Sequence, residues 1–457
     1  MNANATADLE NASGRTQVEL RSLNGSLQAA NIRDKSGRIG GLNATAHTTG
    51  NNVQFDLGSD FAGSAIKASG QTTLASGYPT TANASIRNLQ IEKALTIADV
   101  YDIPASGTLG ATARFNGTLN DPHANLTMTL AKGVLYHEPV TQLQGSLEYS
   151  NKAVNIPEFR VDAPAGQIQM NGSLAHAAGD FKEGQLKLHI ESGGIELARV
   201  QHLQERKPGL GGVLEMVTDI AATLHDRPGQ EQVLLSRLDA NVAAKNIAMN
   251  KQSFGGAAFQ AKTSGNSLSL QFDSDFAKSK IHGSGQAQLS GNYPMKANLT
   301  FSDIKYSNLQ PFLTAAASTT RSDFDGQLAG QLSVNGPVSK PEDLNATLRL
   351  SQLQLTAAAR EPGASGASFV ALQNPQPIVA ELNHSVVTVR SAHLTGRDTD
   401  ITIAGTAVLQ GPAPLKLDIN AKTNLSLLQD LNRDLYSAGA ITLIAAIRGQ
   451  LAHPEVN

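Results

Sequence analysis

The chain has 457 residues, a formal net charge of −3 with only 16% charged residues, and neither cysteine nor tryptophan. Such a balance argues against a nucleic-acid partner, which needs a concentrated basic surface, and the lack of cysteine excludes disulfides and thiolate chemistry. No apolar run approaches the roughly 18–20 residues that cross a bilayer as a helix, and a cysteine-free chain suits an oxidising compartment such as the periplasm.

Residues 1–17 lack the charged start and apolar core of a signal peptide and read as an irregular N-terminal segment. From Val18 onward the chain is repetitive. The stretch Gly107–Pro122, GTLGATARFNGTLNDP, returns as Gly212–Pro228, Gly326–Pro341 and Gly439–Pro454. Its leading glycines lie 105, 114 and 113 residues apart (212−107, 326−212, 439−326). A near-constant period marks a repeat protein, in which each unit leans on its neighbours. It divides the chain into units 18–122, 123–228, 229–341 and 342–457. A longer period overlies this one. Residues 29–83 align without gaps on 244–298, an offset of 215 (244−29), with 23 identities in 55 positions. Ser59-Asp60-Phe61-Ala62 thus matches Ser274-Asp275-Phe276-Ala277. The last unit stops just after its Gly-to-Pro segment, where the others run on into a strand, so the chain reads as a piece of a longer array.

Within a unit the dominant period is two. Ala124, Leu126, Met128 and Leu130 alternate with Asn125, Thr127 and Thr129. Ile168 and Met170, Leu268, Leu270 and Phe272, Leu348 and Leu350, and Ile401 and Ile403 repeat the pattern. Strict alternation predicts strands with one apolar and one polar face, hence a mainly antiparallel sheet. Asn24-Gly25, Gly50-Asn51-Asn52, Asn116-Gly117, Asn171-Gly172 and Asn335-Gly336 predict tight hairpins. One short helix interrupts each unit: Ile91–Val100, a segment around Ile195–Leu203, Leu309–Leu313 broken by Pro311, and a segment from Leu425 to Leu435 behind Asn424. Longer loops are expected at Glu205–Gly212, Asp226–Gln230 and Glu361–Pro377.

Reactive chemistry is sparse. His137-Glu138 and His225-Asp226 have no further ligand at metal spacing, and the 11 histidines read as surface-loop residues. Ser64-Ala-Ile-Lys67 matches a Ser-x-x-Lys motif, but its counterpart is Ser279-Lys-Ile-His282, so both serines read as outward strand residues. Gly209-Leu-Gly211-Gly212 lacks the lysine and the strand–helix frame of a phosphate loop. Asp60 and Asp275 read as hairpin-edge residues. The Asn-x-Ser/Thr triplets at Asn83, Asn125, Asn298 and Asn345 follow from polar alternation. No cofactor, metal or catalytic constellation is expected, and the protein is not read as an enzyme.

Strands this numerous need a cover for their apolar face. A second sheet, closure into a solenoid, or a non-protein apolar guest would each serve. The repeated G-x-[LI]-…-G-x-L-x-x-P frame is followed by alternating strands (Ala124–Leu130, Ala346–Leu350). A helical Leu425-Ser-Leu-Leu-Gln-Asp-Leu segment precedes its last copy. Together these resemble the AsmA-like superfamily, and within it most closely the TamB family of translocation and assembly module subunits. The resemblance covers nearly the whole chain from about Val18. It implies a long curved antiparallel sheet, the β-taco, with an apolar groove. It also implies an inner-membrane-anchored periplasmic protein that moves phospholipid between inner and outer membranes or supports outer-membrane protein assembly. An outer-membrane barrel partner would be met through a C-terminal region with no counterpart here, as the membrane anchor has none. On this reading phospholipid acyl chains are the partner. The groove residues are Leu126, Met128, Leu130, Ile168, Met170, Leu268, Leu270, Phe272, Leu348, Leu350, Ile401 and Ile403. The alternative is a structural or adhesin-like β-repeat scaffold whose apolar face is closed by protein. A polysaccharide-active solenoid enzyme would need aromatic sugar platforms, and the lack of Trp speaks against it.

Overall fold

A computed structural model of the chain describes residues 2–12, 15–35, 37–118, 120–226, 233–250, 252–313, 324–358, 368–409, 414–425, 439–450 and 453–456. The chain divides into two compact units. The first is Met1–Lys207 with Leu214–Leu235, and the second is Pro208–Val213 with Ser236–Asn457. Both are mainly antiparallel β. The described residues hold three short helices: α1 (Ile91–Ile97), α2 (Gln201–Arg206) and α3 (Tyr306–Leu313).

In the first unit every strand from Asn2–Ala12 through Asp180–Glu196 pairs antiparallel with the next in sequence. The second unit is built the same way, with one variation. Strand Asn345–Ala358 faces two short strands, Ser368–Gln373 and Ile378–Asn383, that lie end to end. Asn374 mends the break between them. Its Oδ1 accepts from the Leu353 N–H (2.6 Å) and its Nδ2 donates to the Gln376 carbonyl (2.9 Å). Each alternating run named above lies within a strand.

Local structure recurs at the 215-residue offset. Asn31 and Asn246 (φ 55° and 52°) sit at matching breaks in register. Asn88 and Asp303 (φ 57° and 58°) do so just ahead of α1 and α3. Asn and Asp adopt the left-handed region more readily than other side chains, so they serve at bulges. The Ser-Asp-Phe-Ala copies form matching one-turn notches, with Ala62 and Ala277 buried at φ 52° and 55°. Asp275 accepts from the Gly256 N–H (2.6 Å), and Asp60 accepts from the equivalent Gly41 N–H. Ser274 and Ser59 each donate to the same glycine's carbonyl at 2.8 Å. These aspartates hold a turn to the neighbouring strand.

Several sequence expectations are corrected. The N-terminal stretch is not irregular: Asn2–Ala12 is a strand paired with Arg15–Ser26. Its alternating side chains are mostly alanine, too small to give a clear apolar period. Asn24-Gly25 and Asn171-Gly172 lie inside strands, not at hairpins. A Cβ on Gly172 would come within 2.6 Å of Leu188, so glycine there gives clearance to a neighbour. The loop expected at Glu361–Pro377 contains the strand Ser368–Gln373. That at Glu205–Gly212 shrinks to residues 207–209 between α2 and the next strand. α3 begins three residues earlier than expected and includes Pro311, because Leu309 and Phe312 pack on the cluster of Met249, Phe254 and Ala277. The Leu425–Leu435 helix and most of Asp226–Gln230 lie outside the described residues.

Candidate functional site: the apolar strand face

Directly opposed residues of antiparallel strands project to the same face. The register therefore shows which apolar side chains share a surface. In the second unit one such row starts at Val242 and passes through Phe259, Phe272, Gly283, Leu299 and Leu332 to Leu348. It continues through Ala380, Val389, Gly405 and Leu417 to Ile447. Twelve strands contribute and none supplies a polar side chain. The first unit has its own row, from Gly25 through Ala46, Phe55, Gly70, Ala82 and Phe115 to Ala124. It goes on through Tyr149, Val154 and Leu174 to Leu186.

Burial along both rows has one character. Every side chain larger than hydrogen is half-buried. Neighbours in the same sheet shield the flanks of each side chain, and part of each stays open to solvent. The opposite face carries Gln260, Gln271, Ser284 and Asn298, all exposed.

The residues singled out from sequence fall on these faces. Met128 joins Met170 through Gly145 and Phe159, and Leu130 joins Ile168 through Leu143 and Val161. Leu126 lies two residues from Met128 on the same strand face. Phe272 and Leu348 belong to one row, and Leu270 connects through Gly285, Ala297 and Val334 to Ala346, beside Leu348. Leu350 flanks Leu348, and Ile401 and Ile403 precede Gly405 at period two. Ten of the twelve are half-buried. Leu130 and Leu268 differ, at 1% and 6% exposure. Leu130 belongs to a closed cluster with Val140 and Leu143, onto which Ile91 of α1 packs. It is a core residue with no free surface to offer a guest.

Around Leu270 the face holds a hollow of about 170 Å³, walled by Phe259, Phe272, Leu299, Leu332 and Val334. Larger concavities lie on the opposite face. One of about 860 Å³ includes Asp273, Lys280, His282 and Thr300. His282 Nδ1 stands 2.6 Å from Asp273 Oδ1, and that hydrogen bond holds the Asp273 carboxyl below its usual range. The matching hollow of the first unit, about 480 Å³, has Gly58 and Lys67 at these positions. The pair is thus private to one unit and sits on the face opposite the apolar row.

No protein family, curated protein or solved structure matches the chain. The site is therefore read from its own geometry. The discounted motifs have structural roles. Ser64 and Ser279 are buried, not outward as expected, and donate to the Phe61 and Phe276 carbonyls (2.6 Å each). Glu138, beside His137, accepts from the Gln201 and His202 N–H groups (2.9 and 2.8 Å) and so caps α2. Among the described residues no cluster of His, Cys, Asp or Glu could hold a metal, and no helix is long and apolar enough to cross a membrane.

Sequence reasoning missed the partners that complete the rows, such as Phe55, Phe115, Phe159 and Phe259. It also missed His176, read as a surface histidine and found buried. The row partners become visible only once register is known.

Proposed function

We propose that this chain is a repeat segment of an AsmA-like, TamB-type protein of the periplasm. Its apolar strand faces take up the acyl chains of phospholipids and pass them between inner and outer membranes, and the same surface supports outer-membrane protein assembly. The carrying observation is the pair of cross-strand rows, apolar from strand to strand and half-buried throughout. Burying acyl methylenes there yields about 0.8 kcal/mol per CH₂. Rows of Ala, Val, Leu, Ile and Phe offer that gain at each strand with little preference among positions, so a chain can slide. Along the rows headgroups face water, and no residue is asked to do covalent chemistry.

A dry structural scaffold has one observation in its favour. The clusters around Leu130 and Met249 are closed, one under α1 and one under α3. Such closure would have to extend over the whole face, and the rows beyond these clusters are half-buried.

The test is native mass spectrometry of lipid carried by the chain, with Met128→Asp and Leu270→Asp as variants. Both side chains are half-buried, and because Met128 also packs on the Leu130 cluster, circular dichroism is used to confirm that each variant keeps the sheet. Co-purified phospholipid should fall severalfold in each. Unchanged lipid in both folded variants would argue against the reading.

A further inference from the structure

Aromatic residues are scarce in this chain, yet Tyr149 and Phe181 gather around His176 at the hairpin end of the first unit's apolar face. Tyr149 belongs to the row itself, and His176 lies two residues beyond Leu174 on the same strand face, opposite Gly184. Phe181 arrives by a break in register. His176 pairs with Gly184 but Ala177 pairs with Asp180, which leaves residues 181–183 outside the ladder. Its ring then lies 4.4 Å from the imidazole and 6.0 Å from Tyr149, centroid to centroid.

His176 is 7% exposed. Its Nδ1 is 2.7 Å from the Ala177 carbonyl oxygen. A carbonyl only accepts, so Nδ1 carries the proton, and in the neutral ring Nε2 presents a lone pair. That Nε2 is, among the described residues, the one buried side-chain nitrogen or oxygen without a hydrogen-bond partner. Burying an unmet acceptor is destabilising, and it persists here at the end of an apolar track. Lys182, on the same bulge, is held by Asp226 at 2.7 Å. Phe181, which covers the imidazole, is itself 48% exposed. It can turn aside without breaking a packed core.

We propose that Tyr149, His176 and Phe181 form a headgroup station for a phospholipid whose acyl chains lie on the adjoining row, with His176 Nε2 accepting a hydrogen bond from a headgroup N–H or O–H. The proposal rests on the lipid reading above and adds selectivity to it. The lipid chosen carries a donor, either an ethanolamine ammonium or a glycerol hydroxyl. A choline headgroup has no donor and leaves Nε2 unmet, although its charge can lie on the aromatic faces.

The experiment is competitive loading of the full chain from vesicles of phosphatidylethanolamine, phosphatidylglycerol and phosphatidylcholine with identical acyl chains, read by native mass spectrometry. Wild type should take a donor-bearing lipid over phosphatidylcholine by about fivefold, the ratio one net hydrogen bond gives. Preference for one donor lipid identifies the ammonium or the hydroxyl, and preference for both supports the shared chemistry. His176→Phe keeps an aromatic ring, removes the acceptor and should bring the ratio to about one. Bound lipid without headgroup preference, or a preference that survives His176→Phe, overturns the station and leaves acyl binding standing. No bound phospholipid of any kind overturns both. Should His176→Phe fail to fold, the ¹⁵N resonance of His176 Nε2 in wild type decides. It should move on loading with the preferred lipid, and an unmoved resonance overturns the station.

Discussion

Asp239 shows how a single side chain can be fixed by its surroundings. It is 9% exposed and its Oδ1 accepts from the Thr263 N–H at 2.7 Å. Arg237 and Lys262 approach its Oδ2 at 2.7 and 2.9 Å. The backbone hydrogen bond from Thr263 is the chief reason its carboxyl is held well below the usual carboxylate range, against the opposing effect of burial. The folded-state value is depressed, so this contribution to stability is fully present above about pH 4. It is lost as pH falls below the ordinary value of 3.8 toward the folded one. In the first unit Asn24 occupies the matching place and accepts from the Thr48 N–H at 2.9 Å. A neutral acceptor therefore suffices for the backbone contact. Asp239→Ala strands the Thr263 N–H and should cost about 1–3 kcal/mol in urea unfolding at pH 7. Asp239→Asn keeps the acceptor and loses only contacts to largely exposed cations, so it should cost well under 1 kcal/mol. Its stability should also fall less steeply than that of wild type below about pH 4. Equal costs for the two variants would show that the ion pairs, not the backbone bond, dominate.

At the scale of elements, α2 illustrates a contact that sequence could not announce. It is six residues long, below the length at which an isolated helix is stable. Its first two N–H groups are satisfied by Glu138, 63 and 64 residues away in sequence. A carboxylate at a helix N-terminus meets both unpaired donors and the positive end of the dipole. Glu138→Ala should therefore cost the first unit about 1 kcal/mol, with faster amide exchange confined to residues 201–206. Uniform exchange across the unit would contradict a local cap. Strands were legible because alternation at Leu126–Leu130 or Leu268–Phe272 follows directly from strand geometry. Pairing was not, because register depends on bulges. The shift between Val389 and Ala392 changes which residues face Gly405 and Ile403, and the one beyond His176 brings Phe181 onto the apolar face. Glycine misled for a related reason. At Gly25 and Gly172 it serves close approach in mid-strand, the same residue type that marks turns elsewhere.

Across the whole molecule, what the 215-residue repeat keeps and what it varies are different things. It keeps backbone devices: Asn31 and Asn246 at the bulges, Ser59–Ala62 and Ser274–Ala277 at the notches, and Tyr78-Pro79 and Tyr293-Pro294 at the turns. It varies the apolar face in size while keeping its polarity. Phe55 becomes Leu270, Leu57 becomes Phe272, and Ala44 becomes Phe259. A packed interface between fixed partners would resist such exchanges, since a core responds to single methylenes. A surface that meets a fluid, unspecific guest tolerates them. The repeat was plain in the sequence, whereas the half-burial that distinguishes a guest-binding face from a closed core was not.

The claim that this face carries acyl chains is tested most directly by site-specific photocrosslinking. A benzophenone side chain would replace Leu126 or Leu348 on the apolar face, and Thr127 or Asn298 on the polar one, in chain loaded from phospholipid vesicles. Lipid adducts should form from the two apolar positions and not from the two polar ones. Adducts absent everywhere, or equal from both faces, would contradict the account.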